Sequence, residues 1–191
     1  MRKRNKEMKR ILAFGASNSR KSINKQFANW AANEVNEASV TLIDLNDFEM
    51  PLYGPDKQKE IGMPQEAQDF FKLIGDHDAL VISLAEYNHN YTAAFKNIMD
   101  WISQIDREFW QQKPVFLLSC SPGGRGAEHV MEHSLKQMPW MGAKIAAHFS
   151  LPAYYYTFDE QKGIIDNKLK AAFLKQLTAF ESMLWNAKVG V

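Results

Sequence analysis

Apolar and polar positions alternate along this chain in blocks that change period. Short apolar runs occur at 11–17 (ILAFGAS), 39–45 (SVTLIDL), 79–85 (ALVISLA), 114–120 (PVFLLSC) and, more weakly, 144–152 (KIAAHFSLP). Each is the length of a strand, rich in branched side chains and bounded by turn-forming residues, so five strands are predicted. Between them the apolar residues recur at three and four. Phe27, Trp30, Ala31 and Val35 do so within 24–36, and Ala67, Phe70, Phe71 and Ile74 within 65–74. Ala94, Phe95, Ile98, Trp101 and Ile102 do so within 93–105, Val130, Met131, Leu135 and Met138 within 127–138, and a last helix is predicted over 169–185. Strands that alternate with helices imply an open α/β sheet. Continuous runs such as LVIS and VFLL imply strands covered on both faces.

Composition narrows this picture. The 191 residues suit one domain that needs no covalent staple. Lone Cys120 rules out an intrachain disulfide and an all-cysteine metal site, and it fits a reducing compartment. No apolar run is long enough for a membrane span, and MRKRNKEMKR lacks the apolar stretch of a signal peptide. The net charge of +1 hides an asymmetry: residues 1–10 carry six Lys/Arg against one Glu, and the remainder is mildly acidic. The head reads as a solvated, flexible basic extension over 1–9, ahead of a single domain over 10–191. Without aromatic interleaving or a further basic stripe it makes a poor nucleic-acid arm.

In open α/β sheets ligands gather beyond the carboxyl ends of strands, where the strand order reverses. Three polar clusters sit at such ends. The first, GASNSRKSIN (15–24), offers Ser17, Asn18, Ser19, Ser22 and Asn24 as phosphate donors, with charge from Arg20 and Lys21. Plain helix capping by Ser22 or Asn24 is the alternative. The loop is neither a P-loop nor a GxGxxG turn, and its hydroxyls suit a terminal monophosphate better than a pyrophosphate. Asp44 reads as a ribose ligand or, more simply, a strand-end turn residue. The second cluster, AEYNHNYT (85–92), offers Tyr87 as a surface for a flat ring and Asn88 as donor and acceptor. Its backbone groups count as free for a ligand. Glu86 reads equally as an ion-pairing carboxylate, and His89 as a surface residue. The third, SPGGRGAEH (121–129), contains three glycines, of which Gly123 and Gly124 would let backbone approach a ligand, and Arg125 would add charge. A tight turn without a ligand is the other reading. No HExxH or clustered His/Cys pattern marks a metal site, and no GxSxG marks a hydrolase.

Taken together the three loops resemble those of the NADPH-dependent FMN reductase family, which includes flavodoxin-like quinone, azo-dye and chromate reductases. The resemblance spans roughly 10–180. It is strongest in AEYNHNYTAAFKNIMDWIS, where the family has PEYN followed by KN and DW; SPGGRG and MPLYGPD match further segments. Ala85 and Thr92 stand where the family has proline, Ala16 where it has glycine, and Arg20 falls one place after the family's arginine.

The resemblance implies a flavodoxin-like open parallel five-stranded sheet with helices on both faces. It implies an FMN site made of Ser17, Ser19, Arg20, Ser22, Ile23, Asn24, Glu86, Tyr87, Asn88, His89, Ser121, Gly123, Gly124 and Arg125. NADPH or NADH is then the electron donor, and quinones or similar small electron-poor molecules are the acceptors, with azo dyes, free flavin and chromate in the same class. No side-chain acid or base and no metal are expected. The setting expected is cytoplasmic, as a homodimer or tetramer without nucleic-acid or membrane partners. A flavodoxin-like electron carrier or flavin-binding regulator without substantial NAD(P)H turnover is the second reading. A non-flavin interaction module using Trp101, Trp110 and Trp140 is the third.

Overall fold

The computed structural model describes residues 8–186; the remaining residues, including most of the expected basic extension, lie outside the described range. Five parallel strands form one sheet: β1 (Lys9–Ala16), β2 (Ala38–Leu42), β3 (Ala79–Leu84), β4 (Pro114–Cys120) and β5 (Lys144–Leu151). Their order is β2-β1-β3-β4-β5, the flavodoxin-like arrangement, with its switch point between β1 and β3. The helices are α1 (Ile23–Asn33), α2 (Pro55–Ile61), α3 (Gln65–Asp76), α4 (Ala93–Ile102), α5 (Glu128–Gln137), α6 (Tyr154–Thr157) and α7 (Asn167–Asn186). A small antiparallel hairpin, β6 (Phe158–Asp159) and β7 (Gly163–Ile164), precedes α7.

The three central strands are buried along nearly their whole length, and their side chains divide by the pleat. Leu12, Phe14, Leu80, Ile82, Val115 and Leu117 join Phe70, Phe95 and Trp101 from α3 and α4 on one face. Ile11, Ala13, Val81, Phe116 and Leu118 join Phe27, Phe173 and Phe180 from α1 and α7 on the other. Two cores therefore lie back to back across the sheet, as continuous apolar strands require. The α1 helix can press close to β1 because Gly15 has no side chain: a Cβ there would stand 2.3 Å from the backbone nitrogen of Lys25.

The strand expected over 39–45 is shorter. The β2 strand ends at Leu42, and a 3₁₀ turn runs over Leu45–Phe48. Asp44 is the cause, since its carboxylate accepts from the backbone N–H of Asn46 at 2.9 Å and from the Asn46 amide at 2.7 Å. Such a local bond offers the backbone an alternative to the ladder. The segments that resemble the family motifs also find one another. Asn97 accepts from the N–H of Tyr53 and donates to the carbonyls of Met50 and Pro51, while the Trp101 indole donates to Pro51 at 2.8 Å. Asn97 and Trp101 of α4 thus clamp the MPLY segment, while Lys96 pairs with Asp100 one turn along at 2.6 Å.

Candidate functional site

The α1 helix belongs to one face of the sheet and α4 to the other, so the loops after β1 and β3 part at the switch point and leave a crevice between them. Two buried side chains tie the loops at its base together. Asn24, in the first turn of α1, accepts from the Ser83 hydroxyl at 2.7 Å and from the Cys120 N–H at 3.1 Å, and it donates to the Cys120 carbonyl at 3.2 Å. It therefore ties the first loop to the ends of β3 and β4. Thr92 caps α4 by accepting from Phe95 N–H, and its hydroxyl donates to the Ala16 carbonyl at 3.0 Å. The residue that replaces a proline in the family pattern thus fastens the second loop to the end of β1.

Over this base lies a cavity of about 220 Å³. Ser17, Ser19, Ser22, Ile23, Asn24, Glu86 and Tyr87, all expected site residues, line it. Lys21, expected to add charge to the first loop, lines it too, as do Pro122 and Tyr155, which were not foreseen. Arg20 faces a neighbouring hollow with Lys21, Ser22 and Lys25. Asn88 borders a third hollow of about 420 Å³, which shares Tyr87 with the main cavity. His89, Ser121, Gly123, Gly124 and Arg125 are on the lining of none of the three.

The chemistry of the first loop is that of an anion site. The first backbone N–H groups of α1 have no acceptor within the helix, and the helix dipole favours negative charge there. Ser22 caps the helix by accepting from Lys25 N–H at 3.1 Å, which leaves its hydroxyl proton free to donate. Ser17 accepts from Ser19 N–H at 3.1 Å in the same way. Capping and phosphate binding are therefore compatible here. The Asn24 amide is spent on the fold, so Asn24 offers a ligand its backbone N–H. Among the described residues Arg20 and Lys21 make no ion pair, whereas Lys25 is held by Asp44 at 2.6 Å. That ion pair and the bonds from Asn46 support the simpler reading of Asp44 as a strand-end turn residue. Burial alone would raise its carboxyl, but bonds from Lys25 and Asn46 outweigh it and hold the group below its ordinary value.

The second loop is a tight hairpin. Tyr87 and Asn90 exchange both backbone hydrogen bonds, at 3.0 and 3.1 Å, and Asn88 and His89 between them hold left-handed φ values of 51° and 63°. The Tyr87 backbone is thus not free for a ligand, contrary to the sequence expectation; its half-exposed ring is. Glu86 accepts from the N–H of Val130 at 2.9 Å, which fastens this hairpin to the start of α5. In the third loop, the carbonyl of Gly123 accepts from Ala153 N–H at 2.9 Å, and that of Ser121 from Tyr154 N–H at 3.0 Å. A Cβ on Gly124 would meet nothing within 4 Å, and one on Gly123 only Ser121 Oγ at 3.8 Å. Both glycines therefore border open space. Cys120, beneath the cavity, is almost wholly buried, and burial pushes its thiol far up, so it supplies no thiolate.

All three loops lie within a segment that matches a known family. Residues 9–155 match the model of the family described as NADPH-dependent FMN reductase. The chain is 28% identical over 144 residues to a quinone reductase of Escherichia coli K12, covering 74% of this chain and 77% of that one. It is 26% identical over 149 residues to the NAD(P)H-dependent FMN reductase PA1204 of Pseudomonas aeruginosa, covering 77% and 78%. Among solved structures the flavoenzyme NAD(P)H:(acceptor) oxidoreductase FerB of Paracoccus denitrificans superposes with a TM-score of 0.73. That match covers 93% of this chain and 97% of that one at 20% identity, a likeness of fold.

Proposed function

Because this chain belongs to the NADPH-dependent FMN reductase family, we propose that the cavity between its three strand-end loops is where its flavin binds. Membership makes the chain an NAD(P)H-dependent flavin oxidoreductase with FMN as cofactor. The observation that carries the placement is the first loop: free hydroxyl protons on Ser17 and Ser22, unpartnered helix N–H groups and the cation Lys21 converge on one small cavity, with Arg20 on the hollow beside it. That donor set fits a dianionic monophosphate.

At about 220 Å³ the cavity is smaller than the roughly 300–1,000 Å³ usual for a whole ligand of this size. It suits the phosphate and the chain attached to it. The flat ring is then left to the half-exposed face of Tyr87 and the open side of Gly123 and Gly124. Bound FMN supplies two-electron transfer, from NAD(P)H to an acceptor. The protein's part is placement. Asn24 and Thr92 fix the loops relative to one another, Ser17 and Ser22 hold the phosphate, and Ser121 and the glycines bound the ring without crowding it. Buried Cys120 keeps a nucleophile away. This reading requires no dedicated side-chain acid or base, and the acceptor's protons come from solvent at the open rim.

Quinones are the acceptor class we favour, since the Escherichia coli relative is named a quinone reductase and an open rim admits flat molecules. We also read 10–191 as one FMN-binding domain that pairs into a homodimer. Exposed Leu52, on a hollow of mixed polar and apolar lining that includes Met50, Ala93, Asn97 and Ile98, and exposed Trp140 support pairing. A cytoplasmic setting fits the NAD(P)H supply and the free thiol of Cys120. No helix of the described residues is long and apolar enough to cross a membrane. Steady oxidation of NAD(P)H with a soluble quinone, dependent on added FMN, is the expected result. Full FMN occupancy with negligible turnover would instead make the protein an electron carrier.

A further inference from the structure

Three side chains at the rim stand in an arrangement that flavin binding does not explain. Nδ1 of His89, on the hairpin after β3, lies 2.9 Å from Nδ1 of His129, in the first turn of α5. Glu86 Oε1 lies 3.8 Å from the first nitrogen and 3.5 Å from the second. All three atoms lie within 4.8 Å of one another. A triangle with those sides has a centre about 2.0 Å from every corner, and Zn–N and Zn–O bonds are about 2.0–2.2 Å long. An ion raised about half an ångström from the plane would reach all three, and a tetrahedral geometry would leave its fourth position open.

Two further observations bear on this cluster. The other oxygen of Glu86 accepts from the backbone N–H of Val130 at 2.9 Å, which orients Oε1 at the histidine pair. Outer bonds of this kind position metal-binding carboxylates. His89 is also held at a φ of 63°, a region that costs a residue with a side chain roughly 1 kcal/mol or more. That backbone brings its imidazole edge-on to His129, with ring centres 4.2 Å apart.

We propose that Glu86, His89 and His129 bind one divalent transition-metal ion of the zinc class, with three protein ligands and one open position. Two imidazoles and one carboxylate suit such an ion; magnesium and calcium prefer all-oxygen sets. The competing explanation is a metal-free pair sharing one N–H···N hydrogen bond. Glu86 and His89 are among the residues expected around the flavin, and Glu86 lines that cavity, but the metal proposal rests on the distances within the triad and not on the flavin reading.

Calorimetric titration of the chelator-treated, FMN-loaded protein with Zn²⁺ tests it. One saturable equivalent per chain is expected. His89→Asn, which keeps a residue tolerant of left-handed backbone, and His129→Gln, on a helix, should each weaken binding about tenfold or more. His148→Gln, at an exposed histidine on β5, should leave it unchanged. Cobalt loaded in place of zinc should give the intense visible bands of a four-coordinate ion. Absence of a saturable equivalent in the unaltered protein would overturn the proposal. So would affinity in both triad variants equal to that of the unaltered protein, or a weak six-coordinate cobalt spectrum. Loss of binding in the variants without loss of flavin would show that this site and the FMN site are separate.

Discussion

Ser22 and Asn24 carry the account at the level of single residues, and each separates binding from folding in a different way. Ser22 caps α1 and, in the proposed site, would also offer a proton to the phosphate. Ser22→Asp keeps the cap, since aspartate is as good an N-cap as serine, but sets a carboxylate against the phosphate. The variant is expected to match the parent in urea midpoint and to bind FMN at least about tenfold more weakly. Asn24→Ala does the opposite to stability. It strands the Ser83 hydroxyl and both backbone groups of Cys120 in the interior. A loss of roughly 2–4 kcal/mol is expected in urea unfolding.

What the sequence disclosed at this scale follows the range of the interactions. The hydroxyls of the first loop were legible because they are neighbours in the chain. The role of Asn24 was not, because its partners lie at 83 and 120. Tyr155 was missed for the same reason: it reaches the cavity from beyond β5, and the run YYYT looks like a packing segment. The rim triad was invisible, since 40 residues separate its two histidines.

At the level of elements, periodicity was a sound guide where burial is two-sided and a poorer one at the edge. β3 and β4 fall within a residue of their expected spans because both faces are covered. β2 is an edge strand with mostly exposed or half-buried side chains, so the local bonding of Asp44 could end it early. The helix at Pro55–Ile61 and the hairpin β6–β7 were not foreseen; the helix has no buried residue to give it a period. The same Asp44 supplies an element-scale prediction, because it joins the end of β2 to α1 through Lys25. Its carboxyl lies below the ordinary value in the fold. Its contribution is therefore complete above the unfolded value near 3.8 and disappears as pH falls through the folded one. Asp44→Asn should lower stability by roughly 1 kcal/mol at pH 7. The gap between parent and variant should close on titration towards about pH 2. A gap that stayed constant across that range would assign the effect to packing.

For the whole molecule, the alternation of strands and helices implied an open α/β sheet, the loop motifs implied the flavodoxin-like type, and the order β2-β1-β3-β4-β5 agrees. The reason is physical: two back-to-back apolar cores need continuous apolar strands between them, and that signal survives in one sequence. The convergence of three loops on one crevice was an inference from topology, and Asn24 and Thr92 now supply its mechanism. Titration of the purified apoprotein with FMN, followed by flavin absorbance and fluorescence, tests that convergence most directly. The expected result is one FMN per chain, with occupancy lost in the Ser17→Ala/Ser22→Ala double variant while the fold is retained. Full occupancy in the folded double variant would contradict the account.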